Sequence, residues 1–118
     1  MKTLVVDDDF TCRILLQTFL SEFGVCHAAV NGKEAVGAVR AAIDNGSRYD
    51  LICMDILMPE MDGEEAVRQA RALEEAYGIR SMKGAKIVMT TNVSEVKKVL
   101  RCFSAGCDAY LVKPIETA

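Results

Sequence analysis

Residues 3–9 read Thr-Leu-Val-Val-Asp-Asp-Asp, a short apolar run that ends in three consecutive aspartates. A run of this length without alternation of polar and apolar residues is typical of a strand buried on both faces. The residues that follow carry apolar side chains at helical spacing, which predicts a helix that ends at Gly24. A buried strand followed by a helix favours a parallel sheet with right-handed crossover connections.

The same order of strand and helix recurs along the chain. Four further apolar runs predict strands at residues 25–30, 51–54, 87–90 and 109–112. Between the last two of these runs, four apolar residues recur at helical spacing and predict the buried face of a fourth helix: Val96, Val99, Leu100 and Phe103. The chain therefore predicts one α/β domain over residues 1–118, built on a doubly wound five-stranded parallel sheet.

Composition excludes several classes of function. Fourteen basic and 17 acidic side chains give a net charge of −3, so we expect no general affinity for nucleic acid or anionic lipid. The apolar runs are too short to span a membrane, and the first strand begins too early for a signal peptide. Five irregularly spaced cysteines and one histidine favour free thiols in a reducing cytoplasm over a zinc site.

Charged side chains follow the predicted strands, and the carboxyl ends of parallel strands meet at one edge of a sheet. Each residue alone could be a helix cap, a turn residue or a surface charge. Together, Asp7, Asp8 and Asp55 would repel one another unless a cation compensates. Lys113 supplies one positive charge, and the remaining two negative charges match one divalent metal. Oxygen ligands of this kind suit Mg²⁺ or Mn²⁺.

Four segments resemble the receiver domain of bacterial two-component response regulators, the family of the single-domain chemotaxis regulator CheY. They are Val6-Asp7-Asp8, residues 54–63 (MDILMPEMDG), Thr91 and residues 110–114 (YLVKP). The resemblance covers residues 3–114 and implies a flavodoxin-like sheet with the strand order 2-1-3-4-5. It also implies a cis peptide bond between Lys113 and Pro114.

The resemblance implies a magnesium-dependent phosphoacceptor. Asp55 would take a phosphoryl group from a phosphohistidine on a sensor histidine kinase or a phosphotransfer protein. Asp8, Asp55 and the backbone carbonyl of Leu57 would bind the metal directly, and Asp7 would hold it through water. This function is that of a signalling switch and not of an enzyme, apart from self-phosphorylation by small donors and slow self-dephosphorylation.

The same resemblance implies how the phosphoryl group is sensed. Lys113 would pair with a phosphoryl oxygen, Thr91 would form a hydrogen bond to the group, and Tyr110 would move inward behind it. The change would alter binding to a downstream protein that the sequence does not identify. Asn92 and Val93 depart from the family, which usually has smaller or polar residues there, and Leu57 is apolar at a position that often carries a polar side chain.

Two other functions are open at this point. A magnesium-dependent phosphohydrolase of the haloacid dehalogenase type has an aspartate two residues after its nucleophile, where this chain has Leu57. A pseudo-receiver binds partners without phosphorylation, and the presence of all the family's site residues argues against it.

The sequence stops at Ala118, before the fifth helix that receivers carry. The family's topology places the first and fifth helices on the same face of the sheet. Either residues 1–118 are part of a longer chain that supplies this helix, or an apolar face beside the first helix and the last strand is uncovered; in the second case we expect a homodimer formed through that face.

Overall fold

The computed structural model describes residues 1–115 and contains a five-stranded parallel sheet with the order β2-β1-β3-β4-β5. The strands are β1 (Thr3–Val6), β2 (Cys26–Ala29), β3 (Leu51–Asp55), β4 (Lys86–Thr91) and β5 (Ala109–Val112). The α-helices are α1 (Phe10–Leu20), α2 (Gly32–Asp44), α3 (Gly63–Ala76) and α4 (Val99–Ala105). The predicted fold class and strand order are confirmed. Within residues 1–115, no helix is long and apolar enough to cross a bilayer.

Side chains at the strand-to-helix turns define where the first three helices begin. Asp9, Asn31 and Asp62 each accept a hydrogen bond from a backbone N–H in the first turn, at 3.0, 2.8 and 3.0 Å. Glu34 reaches back to the N–H of Val30 at 3.0 Å. Caps of this kind contribute about 1 kcal/mol each and satisfy backbone N–H groups that have no partner within the helix.

The sheet separates two apolar clusters of unequal size. The larger cluster fills the space between the sheet and helices α2, α3 and α4. The smaller one, on the α1 side, consists of four buried residues: Val5, Leu16, Leu20 and Cys53. Within residues 1–115 α1 is the only α-helix on that side, and no helix follows β5.

Strand β5 differs from the expectation of burial on both faces, since all four of its residues are exposed. It lies at the edge of the sheet and pairs only with β4. The uncovered face expected beside α1 and β5 is therefore present in the described residues. Residues 116–118 lie outside them.

The predicted face of the fourth helix is partly wrong. The segment Val93–Lys98 forms 3₁₀ turns, and the α-helix begins only at Val99. Val99 and Cys102 are buried, whereas Leu100 is 75% exposed. A 3₁₀ turn holds about 3.0 residues where an α-turn holds about 3.6, so the expected apolar stripe does not continue across the junction.

Candidate functional site

The structure brings the three predicted aspartates together at the carboxyl edge of the sheet. Asp7 and Asp8 follow β1, and Asp55 is the last residue of β3, which is paired with β1. One carboxylate oxygen from each lies within 4.8 Å of those of the other two. Asp7 is fully buried and Asp55 is 7% exposed, while Asp8 faces solvent. The predicted acidic cluster is therefore formed and is open to solvent on the side of Asp8.

Lys113 is the cation of this cluster. Its Nζ lies 3.0 Å from Oδ2 of Asp7 and 3.2 Å from Oδ2 of Asp55. The residue directly follows β5, where its backbone N–H donates to the carbonyl of Thr91 at 2.7 Å. The bond between Lys113 and Pro114 is cis, as expected. One ammonium group thus contacts two buried carboxylates.

Burial and charge shift the pKa values at this site. Burial, followed by the negative charge of Asp7, raises the pKa of Asp55 from 3.8 to about 6, although Lys113 opposes the shift. Burial disfavours the charged form of Lys113, but the hydrogen bond to Asp7 and the two carboxylate charges outweigh it and raise its pKa to about 12. One ammonium group does not neutralise all three carboxylates. The site therefore keeps a net negative charge, which favours the binding of a further cation.

Further contacts hold Asp7 in place. Its Oδ1 accepts a hydrogen bond from the N–H of Asp9 at 2.9 Å, and its carbonyl accepts one from Nη1 of Arg13 at 2.8 Å. Burial and a hydrogen bond to Asp7 raise the pKa of the Cys12 thiol to about 11. Sequence reasoning missed both Arg13 and Cys12, because neither position carries a signal that separates it from an ordinary residue of a helix.

The threonines at the end of β4 are both buried. The hydroxyl of Thr91 donates to the carbonyl of Asn92 at 3.0 Å. Thr90, and not Thr91, is the residue in register with Asp55. The hydroxyl of Thr90 has no hydrogen-bond partner within residues 1–115. The sequence places both Thr90 and Thr91 at the end of the fourth strand, but it assigns a role only to Thr91, since the pairing register is a property of the sheet.

Tyr110 lies on β5, and its side chain is turned partly to solvent. The residue is 42% exposed, and its ring packs edge-to-face against Phe103 with the centroids 6.4 Å apart. Leu57 and Val93, which follow the ends of β3 and β4 by two residues, are 40% and 74% exposed. The loops that follow β3 and β4 therefore carry exposed apolar side chains at the edge of the sheet where the acidic cluster lies.

The donor set fits a hard divalent cation. The cluster provides three carboxylates, and with Lys113 it carries a formal charge of −2. Oxygen donors with one side open to water are the ligands that Mg²⁺ takes in proteins, where it keeps several waters. No thiolate or imidazole belongs to the cluster, so the chemistry of the donors favours magnesium over zinc.

The model of the response regulator receiver domain family matches residues 3–118. The chain belongs to this family. Hybrid signal transduction histidine kinase B of Dictyostelium discoideum is 38% identical over 99% of the receiver chain, which corresponds to 6% of the kinase. Chemotaxis protein CheY of Halobacterium salinarum is 34% identical over 98% of the receiver chain and 86% of CheY. The receiver thus spans a small part of some curated relatives and most of another.

Solved structures have the same fold. The receiver domain of the histidine kinase CKI1 from Arabidopsis thaliana, complexed with Mg²⁺ and BeF₃⁻, superposes with a TM-score of 0.76 at 34% identity. That match covers 95% of this receiver and 80% of the CKI1 chain. A co-crystal structure of the Saccharomyces cerevisiae phosphotransfer protein Ypd1 with the receiver domain of Ssk1 matches with a TM-score of 0.80 at 29% identity. It covers 98% of this receiver and 80% of the other chain.

Proposed function

We propose that Asp55 is the phosphoacceptor of a magnesium-dependent signalling switch. The observation that carries this proposal is the position of its carboxylate, which lies beside Lys113 and two further aspartates at the edge of the sheet. A carboxylate oxygen attacks the phosphorus of a phosphohistidine, the P–N bond breaks, and the imidazole nitrogen keeps the electron pair. The product is an aspartyl phosphate.

Each neighbour of Asp55 has a part in this transfer. Asp8, Asp55 and the carbonyl of Leu57 would hold Mg²⁺, and Asp7 would hold it through water. When bound, the metal neutralises charge on the phosphoryl oxygens. Lys113 already contacts Asp55 and remains in reach of a phosphoryl oxygen after transfer. The complex of the similar CKI1 receiver with Mg²⁺ and BeF₃⁻ supports a magnesium site in this receiver.

Thr91 and Tyr110 form the element that responds to phosphorylation. In the described structure the Thr91 hydroxyl bonds to Asn92, and the Tyr110 ring is half exposed beside Phe103. A new phosphoryl oxygen offers Thr91 a stronger, charged acceptor. Movement of Thr91 toward it leaves space behind β4 for the Tyr110 ring, and the surface of α4 and β5 changes for a downstream protein.

The phosphodonor is a histidine kinase or a phosphotransfer protein. The hybrid kinases among the relatives and the complex of Ypd1 with the Ssk1 receiver support a partner of this class. The phosphohistidine of the donor must come within bonding distance of Asp55, so the donor protein must contact the exposed surface around the site. Phe10 and Val93, at 66% and 74% exposed, offer that contact. The free cysteines fit a cytoplasmic setting, and residues 1–118 form one receiver domain.

A phosphorylation assay tests the proposal. The protein is incubated with acetyl phosphate and Mg²⁺, and its intact mass is measured for the wild type, Asp55→Asn and Asp50→Asn. Asp50 is a matched control, since it stands just before the other end of the same strand. We expect one phosphate on the wild type and on Asp50→Asn, and none on Asp55→Asn.

Other outcomes assign other functions. Steady release of phosphate without an adduct would indicate a phosphohydrolase. No reaction with acetyl phosphate, and none with a phosphorylated phosphotransfer protein, would indicate a pseudo-receiver.

A further inference from the structure

Thr90 is a buried residue of β4 whose hydroxyl lacks a hydrogen-bond partner. The residue is 1% exposed, and its Oγ1 bonds to no group within residues 1–115. A buried hydroxyl without a partner destabilises a fold, whereas valine has nearly the same shape and no polar atom. Packing alone would therefore favour valine at this position. Unsatisfied buried polar groups of this kind are found where a water or a functional step uses them.

Thr90 lies on the same face of the sheet as the side chain of Asp55. Side chains alternate between the two faces along a strand. On β3, Cys53 belongs to the apolar cluster on the α1 side, so Asp55, two residues further on, faces that side. On β4, Val88 lines a cavity together with Cys53, so Thr90 also faces the α1 side. Asp55 and Thr90 are paired in register, and paired strands lie about 4.8 Å apart, so the two side chains are neighbours.

The side chain of Lys113 crosses the end of β4 to reach the acidic cluster. Its backbone follows β5, and β4 lies between β5 and β3 in the sheet. Its Nζ nevertheless lies 3.0 Å from Asp7 and 3.2 Å from Asp55. In the described structure the ammonium group is thus the donor to Asp55, and the hydroxyl of Thr90 donates to nothing.

We propose that the hydroxyl of Thr90 donates a hydrogen bond to the Asp55 carboxylate during phosphoryl transfer. This inference rests on the function proposed above, in which Asp55 is the phosphoacceptor. When Lys113 moves to a phosphoryl oxygen, Asp55 loses its ammonium donor while its carboxylate still carries negative charge. Thr90 on the adjacent strand then becomes the donor, and its hydroxyl gains a charged acceptor.

This hydrogen bond stabilises the transition states of both reactions of Asp55. In phosphorylation by acetyl phosphate, a carboxylate oxygen of Asp55 attacks phosphorus, the P–O bond to acetate breaks, and acetate keeps the electron pair. In hydrolysis, water attacks phosphorus, the P–O bond to Asp55 breaks, Asp55 keeps the electron pair, and the water releases a proton to solvent. Midway through each step Asp55 carries partial charge and lacks its ammonium donor. Loss of the hydroxyl should therefore slow both reactions to a similar degree.

The kinetics of phosphorylation test this role of Thr90. Intact mass is followed for the wild type, Thr90→Val, Thr90→Ser and Thr3→Val, first with acetyl phosphate and Mg²⁺ and then after removal of the donor. Thr3 is the matched control. It is also 1% exposed with a hydroxyl that lacks a partner in the described residues, but it begins β1, at the opposite edge of the sheet.

We expect Thr90→Val to slow both phosphate uptake and phosphate loss about 10-fold, which corresponds to the loss of one hydrogen bond to a charged group. The phosphorylated fraction at steady state should therefore change little. Thr90→Ser keeps the hydroxyl and should recover most of the wild-type rates. Thr3→Val should react like the wild type.

Urea denaturation of the metal-free proteins separates this role from a structural one. Thr90→Val removes an unpartnered hydroxyl, so it should be no less stable than the wild type. A Thr90→Val protein that is less stable or does not fold would show that the hydroxyl already has a partner at rest, and would overturn the inference. Wild-type rates in Thr90→Val, or a Thr90→Ser protein as slow as Thr90→Val, would also overturn it.

The wild type itself distinguishes the two proposals. A wild type that takes up no phosphate refutes the function proposed for Asp55, and the role of Thr90 with it. A phosphorylated wild type with an equally fast Thr90→Val refutes only the role of Thr90.

Discussion

Replacing Asp55 by Asn should stabilise the metal-free protein while it removes the phosphoacceptor. Asp55 is 7% exposed beside a second buried aspartate, and its pKa rises from 3.8 to about 6 on folding. Folding therefore disfavours the charged carboxylate. The amide has nearly the same shape and no charge, so the variant avoids this cost.

The structure sets the size and the pH window of the effect. A rise in pKa from 3.8 to about 6 corresponds to about 3 kcal/mol at neutral pH. The site is open to water on one side, which screens part of the repulsion, so we expect about 1–3 kcal/mol. The charged Asp55 side chain does not destabilise the wild type at low pH, where it is protonated in both the folded and the unfolded protein. The destabilisation develops as the pH rises from the unfolded-state pKa of 3.8 to the folded-state pKa of about 6, and it is complete above pH 6. At pH 4 the gain should be no more than about 0.5 kcal/mol.

Urea denaturation in the presence of a chelator measures this difference at pH 7 and pH 4. Glu75→Gln, an exposed carboxylate on α3, serves as the control and should change little at either pH. Saturating Mg²⁺ should then stabilise the wild type more than Asp55→Asn, because the variant has lost a ligand. An Asp55→Asn protein that is less stable than the wild type at pH 7, or equally stabilised at both pH values, would refute the reasoning about repulsion.

Three further predictions concern other contacts of the receiver. The aspartyl phosphate should be long-lived, because the apolar side chains of Leu57 and Val93 cannot orient an attacking water. Phosphate loss after removal of the donor should therefore be faster in the double variant Leu57→Asn/Val93→Glu. An unchanged rate in that variant would contradict the role of these two side chains. Lys113→Met should cost about 2–4 kcal/mol at pH 7, because two buried carboxylates lose their cation, and should slow phosphorylation by acetyl phosphate. Arg71→Ala should cost about 2–4 kcal/mol, because Arg71 bonds two carboxylates and two carbonyls. Arg68→Ala is the control: it breaks only exposed ion pairs and should change the urea midpoint little. Equal effects of the two arginine variants would be evidence against a stabilising role of the partly buried contacts of Arg71.

Much of the site could be predicted because parallel strands place their carboxyl ends at a common edge. Once the apolar runs are recognised as strands, Asp7, Asp55 and Lys113 are expected at the same edge of the sheet, where the structure brings them into contact. The contacts of Arg13 and Cys12 with Asp7 could not be predicted in this way. They depend on how α1 is rotated above the turn, which its capping and packing decide.

The sequence by itself determined the order of strands and helices, the acidic edge and the family, since each follows from local patterns and the spacing of a few residues. Only the tertiary structure decided that Thr90 is the residue opposite Asp55, that Leu100 faces solvent, and that β5 is exposed. It also decided the raised pKa of Asp55, which depends on burial and on a neighbour 48 residues away in the chain. Register, helix rotation and desolvation arise from contacts between distant segments, and no local pattern of residues encodes them.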